Sequence, residues 1–346
     1  MKIGIVSRFL PEKDGIAIYT ENLVKNLKNI DVIKIGTLNS NAKYKLKFNL
    51  TYFYKKLRGI IKKEKLNVIH FQYIAPWYGK YSLNYPLIKA LKIIKIPKIV
   101  TLHEVQYSNE GLKNKILEKI EKRVVKYANK IITHTDQQAE FINRKYNTNK
   151  AECIYMGVNI RRNNPKKGKN ILFFGMMGKG KGLVDLINAK KYLPNYKLKI
   201  AGRPVTNDYK KKILKAKKNK EIELKFGWVS EKEKDSLYKW ANIMVLPYRW
   251  APYQSAVLHD ALSYSIPVVV TKVGAVWEVV DKFKLGEITK PKNPNTLANS
   301  ITKVFKDYSH YKKGIKQYRK EANWNEIGKK HLNLYKSLLK QRGFYS

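Results

Sequence analysis

The chain has 346 residues, of which 44% are hydrophobic, and its 71 Lys and Arg against 26 Asp and Glu give a formal net charge of +45. This length and composition predict about two folded domains and exclude a mainly disordered chain. The single cysteine, Cys153, excludes an internal disulfide framework. We find no secretory signal and no apolar stretch of the ~18 residues that span a membrane, so we expect a cytoplasmic protein, free or peripheral to the cytosolic face of a membrane.

The positive charge is mostly lysine and is spread along the whole chain. Such a field attracts anionic partners, but compositional bias alone would also scatter lysines over every surface helix. The predicted helix Leu50–Lys63 has one apolar face and five basic residues elsewhere, so it either lies on an anionic bilayer or packs on its own sheet. No zinc-ligand cysteines, RNP-like aromatic strand or short basic recognition helix occur, so no specific nucleic-acid partner is expected.

Strand-like and helical patterns alternate from one end of the chain to the other. The strands predicted in the first half are Ile3–Ser7, Val32–Gly36, Val68–Gln72, Ile99–His103, Ile131–Thr135 and Cys153–Tyr155, with helices at Ala17–Leu27, Leu50–Lys63, Leu83–Ile94, Leu112–Ala128 and Gln137–Lys145. The strands predicted in the second half are Ile171–Gly175, Leu198–Ala201, Ile222–Phe226, Ile243–Pro247, Val268–Thr271 and Glu287–Thr289, again with helices between them. This order predicts an α/β protein of two doubly wound, Rossmann-like parallel-sheet domains.

The domain boundary is predicted in the polar, basic segment Arg161–Lys169, which contains Pro and Gly. The predicted domains are residues 1–163 and 164–323. A last helix, Trp324–Leu339, follows all the strands and has an apolar face that needs a packing partner. Open α/β sheets bind ligands at the carboxyl ends of their strands, so two such domains facing each other would form a binding cleft.

Two glycine-containing segments follow strands and lead into helices. Gly15 lies at the predicted start of the first helix, where backbone N–H groups bind phosphate, although a plain turn glycine is the simpler reading. The segment GMMGKGKGL, Gly175–Leu183, adds Lys179 and Lys181, and this combination favours a phosphate loop. It is neither a Walker loop nor a dinucleotide fingerprint, because the Gly-Lys-Ser/Thr ending and the later acidic residue are missing.

The stretch Pro252–Gly274 combines a loop, a helix and the β-branched strand Val268–Thr271. N–H groups at the helix start would bind an anion, and Asp260 inside the helix would accept sugar hydroxyls. His103 ends a predicted strand and either contacts a sugar or phosphate or is structural. No Asp-x-Asp occurs and the histidines do not pair at ligand spacings, so no metal cofactor is expected.

At these positions the chain resembles the retaining glycosyltransferases of family 4, which have the two-domain GT-B fold. The resemblance covers essentially the whole chain and rests on Pro11 to Ile16, Val68–His70, Val100–His103, Ile154–Val158, Phe173–Leu183, Tyr253–Glu278 and Trp324–Leu338. It implies transfer of a sugar, with retention, from a UDP- or GDP-sugar to a hydroxyl of a glycan or lipid-linked acceptor without a metal ion. It also implies that the second domain binds the donor, the first the acceptor, and that residues 324–346 cross back onto the first domain.

The resemblance assigns roles to individual residues. Lys181 would neutralise the leaving group, Asp260 would hold the donor ribose, and His103 would lie near the sugar; these are the predicted catalytic residues. The predicted donor-binding residues are Gly15, Gly175, Lys179, Arg203, Trp228, Val229, Gln254, Ser255, Ala256 and Val257. Trp228 and Val229 correspond to the segment that contacts the base, and Ser255 to Val257 to the backbone that meets the diphosphate and sugar.

Three residues depart from the family's pattern. Pro252 stands where the first glutamate of its Glu-x7-Glu motif is expected, Met176 replaces a phosphate arginine, and Asp260 is shorter than the usual second glutamate. Tyr253-Gln254-Ser255 resembles a variant loop of the family, in which Gln254 would take over sugar contacts. These departures leave the donor open, and a non-catalytic GT-B-like module that binds nucleotide or glycan is the alternative.

Overall fold

The computed structural model describes residues 1–12, 14–79, 84–108, 110–161, 168–218 and 221–341. The chain divides into two compact units: a first unit, Met1–Gly157 with Trp324–Ser346, and a second unit, Val158–Asn323. The boundary predicted between residues 163 and 164 lies outside the described residues. Each unit is an α/β sandwich around one parallel sheet, as the alternating pattern predicts.

The sheet of the first unit has seven parallel strands in the order β3-β2-β1-β4-β5-β6-β7. They are β1 (Lys2–Val6), β2 (Asp31–Gly36), β3 (Tyr44–Lys45), β4 (Val68–Tyr73), β5 (Lys98–Leu102), β6 (Lys130–Thr133) and β7 (Ala151–Cys153). Every residue of β4 and β5 is buried, which is typical of parallel strands covered on both faces. The strand predicted at Cys153–Tyr155 starts two residues earlier, and β3 was missed because two residues leave no periodic pattern.

The helices between these strands are α1 (Gly15–Asn26), α2 (Phe53–Glu64), α3 (Tyr85–Ile93), α4 (Gly111–Tyr127) and α5 (Asp136–Lys145). Phe53, Leu57 and Ile60 of α2 are buried in the core of the unit. The sequence left open whether the apolar face of this helix lies on a bilayer or packs on its own sheet. The face packs inside the protein, while the basic residues of α2 are exposed. In the described part of the chain, no helix is long and apolar enough to cross a membrane.

The second unit has six parallel strands in the order β10-β9-β8-β11-β12-β13. They are β8 (Asn170–Phe174), β9 (Lys197–Gly202), β10 (Glu223–Phe226), β11 (Ile243–Leu246), β12 (Val268–Thr271) and β13 (Gly286–Thr289). The helices are α6 (Leu183–Ala189), α7 (Asn207–Lys217), α8 (Glu231–Trp240), α9 (Ala256–Ser263), α10 (Glu278–Phe283), α11 (Pro294–Lys306) and α12 (Tyr308–Glu321). Because all strands are parallel, the loops after β8, β9, β10 and β11 share one edge of the sheet.

The last helix, α13 (Trp324–Lys340), belongs to the first unit and packs against α1. Its buried residues include Ile327, Leu334 and Leu338, which belong to the apolar face seen in the sequence. A Cβ atom at Gly328 would overlap the Asn26 carbonyl oxygen at the end of α1, so a glycine is needed where the two helices meet.

Candidate active site

The glycine-rich segment lies between β8 and α6 of the second unit, as predicted. Gly182 enters α6 with a φ of +63°, and a Cβ atom there would overlap the Pro247 carbonyl oxygen. Gly175 also has a positive φ, and its Cα faces the start of α9: a Cβ atom would lie 3.4 Å from Val257 Cγ2. The fold thus brings the predicted phosphate loop beside the predicted anion-binding helix start.

Lys181 is held at this place by aromatic side chains. Its Nζ donates to the Tyr253 hydroxyl at 2.9 Å and lies 3.9 Å from the centroid of the Tyr248 ring. Burial lowers the pKa of Lys181 to about 8. The described residues give Lys181 no ion pair, so this ammonium group is a poorly solvated cation that an anionic ligand would stabilise.

The loop after β11 is locked onto the glycine-rich segment by contacts that the sequence analysis missed. Arg249 Nε and Nη2 donate to the two carboxylate oxygens of Asp185 on α6, at 2.9 and 2.6 Å. The backbone N–H groups of Arg249 and Trp250 both donate to the Gly180 carbonyl. A bidentate ion pair of this kind fixes orientation as well as distance, so the two loops are held in a fixed position relative to each other.

The start of α9 contains Gln254, Ser255, Ala256 and Val257, all predicted donor-binding residues. The Ser255 hydroxyl lies 3.0 Å from the Tyr248 hydroxyl and makes no cap to its own helix, so the first N–H groups of α9 are not satisfied by that side chain. Gln254 is buried and its Nε2 donates to the Ala275 carbonyl, while its Oε1 has no hydrogen-bond partner among the described residues. An orphaned buried acceptor of this kind suits a ligand hydroxyl.

Asp260 lies on α9, half-buried, with Lys234 of α8 as its partner at 2.7 Å. Burial raises the pKa of Asp260 and the Lys234 charge opposes that shift. Lys234, which the sequence analysis did not single out, is therefore the group that favours the charged form of this carboxyl. A charged carboxylate at this place could accept hydroxyl hydrogens, as the resemblance implies.

The remaining predicted donor residues of the second unit follow their strands at the same sheet edge. Lys179 and Arg203 are exposed, after β8 and β9. Trp228, which follows β10, is 69% exposed, so its ring presents a broad apolar face to solvent. Val229 beside it is buried, so it offers a ligand its backbone rather than its side chain. Met176, in place of the family's arginine, is exposed.

In the first unit, α1 begins at Gly15, two residues before the predicted start at Ala17, and this helix start is already capped. Asp14 Oδ1 accepts from the N–H groups of Ile16 and Ala17 at 2.9 and 2.8 Å. An anion at this helix start would have to displace that carboxylate or use other donors. A phosphate contact of Gly15 therefore stays a prediction. The sequence analysis did not consider that Asp14 caps this helix start.

His103 is buried at the end of β5, and both of its ring nitrogens have protein partners. Nε2 lies 2.8 Å from Gln72 Oε1, and Nδ1 lies 3.2 Å from His134 Nε2. Burial, reinforced by His134, lowers the pKa of His103 well below its ordinary value, so the ring is neutral. His70 is fully buried, and its two ring nitrogens are hydrogen-bonded to Tyr335 and Thr101.

Within the described ranges, no three His, Cys, Asp or Glu side chains are grouped as a metal ion would need.

Two family models match the chain, one for each half. Residues 13–162 match Glycosyltransferase Family 4, and residues 159–321 match Glycosyl transferases group 1. Two relatives are uncharacterized glycosyltransferases of Methanocaldococcus jannaschii. One is 28% identical over 94% of this chain and 95% of its own, and the other is 25% identical over 99% and 100%.

Solved structures of glycosyltransferases share the fold. Sucrose-phosphate synthase of Thermosynechococcus elongatus superposes with a TM-score of 0.77 at 17% identity, covering 99% of this chain and 100% of that one. Anabaena HepE superposes with a TM-score of 0.73 at 16% identity, covering 97% and 100%. The two Rossmann-like units and these neighbours define the GT-B class. The chain is a glycosyltransferase of this class, and therefore a transferase enzyme.

Proposed function

We propose that this glycosyltransferase moves a sugar, with retention and without a metal ion, from a UDP- or GDP-sugar to a hydroxyl of a glycan or lipid-linked acceptor. The observation that carries the proposal is the arrangement around Lys181: a desolvated ammonium group beside a glycine-rich loop and the start of α9. Departure of a nucleoside diphosphate develops negative charge, and preorganised positive groups in a dry site stabilise it.

The proposed donor site lies at the carboxyl ends of the strands of the second unit. Lys181 and the N–H groups of Ser255 to Val257 would bind the diphosphate, Asp260 the ribose and Gln254 Oε1 a sugar hydroxyl. The exposed Trp228 would stack on the base. Anabaena HepE has been solved with UDP and with UDP-glucose, which makes uridine the first base to test.

The proposed reaction uses no covalent enzyme intermediate. The bond between the anomeric carbon and the diphosphate oxygen breaks, the acceptor oxygen bonds to the same face, and the hydroxyl proton passes to the leaving phosphate. The positive groups named above would replace the charge that a divalent cation supplies in other transferases. Binding in a fixed geometry supplies the other part of the rate enhancement.

A panel of UDP-, GDP-, ADP- and dTDP-sugars tests this proposal, with nucleotide release measured with and without a chelator. We expect slow release from one UDP- or GDP-sugar, unchanged by the chelator. Loss of release with the chelator would contradict the metal-free mechanism. No release across the panel, with no thermal stabilisation by any nucleotide, would favour the non-catalytic module that Pro252 and Met176 suggest.

For the acceptor, we propose that the first unit meets an anionic, lipid-linked or glycan partner at a membrane surface. The helices α2, α3 and α4 pack side by side, and their exposed basic residues include Lys55, Lys56, Arg58, Lys62, Lys63, Lys92, Lys119, Lys122, Arg123 and Lys126. Basic side chains near an anionic leaflet each contribute about 1 kcal/mol. Flotation should show binding to anionic vesicles and not to neutral ones; equal binding to both would leave compositional bias as the explanation.

A further inference from the structure

A series of hydrogen bonds runs through the first unit beside the carboxyl ends of its strands. We call it the histidine chain; its members are the Ile154 carbonyl, His134, His103, Gln72, His70 and Tyr335. Successive contacts measure 3.0, 3.2, 2.8, 3.3 and 2.8 Å, and no member is more than 7% exposed. Buried polar groups need partners, so each polar hydrogen of the histidine chain must meet an acceptor within the protein.

The positions of the hydrogens follow from the Ile154 end. A carbonyl oxygen only accepts, so His134 Nδ1 carries a hydrogen. A neutral His134 then has a lone pair at Nε2, which accepts from His103 Nδ1. A neutral His103 therefore carries its hydrogen on Nδ1 and a lone pair on Nε2.

The orientation of the Gln72 amide follows from the same reasoning. A lone pair on His103 Nε2 needs the NH₂ group of the Gln72 amide as its donor. The amide oxygen then faces His70 and accepts from His70 Nε2–H. The same His70 N–H also donates to Thr101 Oγ1 at 2.7 Å. The Tyr335 hydroxyl completes the chain by donating to His70 Nδ1. The structure places the amide oxygen toward His103 Nε2 and the amide nitrogen toward His70 Nε2. That orientation requires a hydrogen on His103 Nε2 and one additional proton in the histidine chain, so we exchange the oxygen and nitrogen of the amide.

The surroundings oppose that additional proton. Burial lowers the pKa of His134 to about 4 and that of His103 well below its ordinary value. The other titratable groups nearby are Tyr19, whose ring meets His103 and His134 edge-on, and His331, whose ring centroid lies 5.7 Å from that of His70. None of them supplies a negative charge at neutral pH, because burial raises the pKa of Tyr19 above its ordinary value.

We propose that His134 is a positioning residue for His103, holding it as the Nδ1–H tautomer so that its Nε2 lone pair accepts a hydrogen bond from a sugar hydroxyl that replaces Gln72. The ligand part rests on the proposed glycosyl transfer, whereas the tautomer does not. A lone pair attracts a hydroxyl hydrogen and repels a phosphate oxygen. The sequence left open whether His103 contacts a sugar or a phosphate. The histidine chain thus favours a sugar hydroxyl over a phosphate oxygen.

Nitrogen-15 NMR of the full chain, labelled at histidine, tests the tautomer at neutral pH. A ring nitrogen with a lone pair resonates well apart from one that carries a hydrogen, and His103→Gln assigns the two signals. We expect a hydrogen on Nδ1 and a lone pair on Nε2 of His103. A hydrogen on Nε2 would overturn the proposal, whether or not the protein transfers sugar.

His134→Leu tests the positioning role. The variant should lose the preference for one His103 tautomer and slow sugar transfer about 10-fold, with nucleotide affinity unchanged. His134→Gln should restore part of the rate, since its side-chain oxygen can accept from His103 Nδ1. A matched control is His331→Leu, because His331 is also buried and bonded to a backbone carbonyl but lies outside the histidine chain. A folded His134→Leu protein that keeps the tautomer and the rate would overturn the proposal.

Discussion

Lys181 illustrates how much of the proposed chemistry depends on the surroundings of one side chain. The same ammonium group on an exposed helix would be fully hydrated and would have its ordinary pKa. Between the rings of Tyr248 and Tyr253 it loses water and has no carboxylate in the described residues to replace it. A bound diphosphate would supply the missing counter-charge. The site without ligand therefore holds the Lys181 ammonium group poorly solvated, in position to bind an anion.

Nucleotide binding should therefore take up a proton at Lys181. Its pKa of about 8 in the free protein is expected to rise when an anion binds beside it. The affinity for UDP should be constant below that pKa and fall as the pH rises above it, by up to ~10-fold per pH unit. Calorimetry in buffers of different ionisation enthalpy measures the uptake. Lys181→Arg keeps its charge over this range, so the same slope in that variant would contradict the assignment to Lys181.

At the scale of elements, the site is built from two loops that are locked together. The glycine-rich loop was predicted from its composition, but the Arg249–Asp185 ion pair and the contact of Gly182 with Pro247 were not. These contacts join segments more than 60 residues apart, and neither segment has a periodicity that would indicate its partner. These contacts explain why a glycine is needed at position 182, where a Cβ atom would overlap the Pro247 carbonyl oxygen.

A pair of glycine variants tests this lock. Gly182→Ala would place a Cβ atom onto the Pro247 carbonyl at a φ of +63°, so we expect a loss of about 1–3 kcal/mol in stability and a roughly 10-fold weaker nucleotide affinity. Gly180 lies in the same loop with nothing within 4 Å of its Cβ position. Gly180→Ala should leave both quantities nearly unchanged. Thermal unfolding and nucleotide titration measure them, and similar losses in the two variants would argue against the lock.

At the scale of the whole molecule, the sequence predicted the two sheets well because buried parallel strands are continuous apolar runs. All the predicted strands were found within two residues of their predicted ends, and β12 at Val268–Thr271 has the predicted bounds. What the sequence could not indicate were contacts set by tertiary packing, such as the one between His134 and His103. Such contacts depend on which strand ends meet, and that order is a property of the assembled sheet.

Four of the six histidines are buried and neutral in the first unit, which makes the molecule sensitive to acid. Burial lowers the pKa of His134 and His331 to about 4 and that of His70 and His103 well below 6.5. Unfolding exposes these rings, which then bind protons below about pH 6.5. Stability is therefore complete above pH 6.5 and lost as the pH falls toward 4, by up to ~1.4 kcal/mol per pH unit for each histidine.

Urea unfolding at pH 7 and pH 5 measures this loss. His331→Gln should reduce the difference between the two pH values, since one buried ring is removed. His310→Gln is the matched control, because His310 is exposed on α12. An equal reduction in both variants would contradict the assignment to the buried rings.

The most direct test of the account is the rate of UDP or GDP release from the preferred sugar donor in the Lys181→Met protein. Lys211→Met, an exposed lysine on α7, is the control. We expect Lys181→Met to lower the rate constant at saturating donor by about 100-fold or more, with Lys211→Met unchanged, because the ammonium group stabilises charge that develops as the diphosphate departs. A folded Lys181→Met protein that releases nucleotide at the unmodified rate would contradict the central claim that this cation drives the departure.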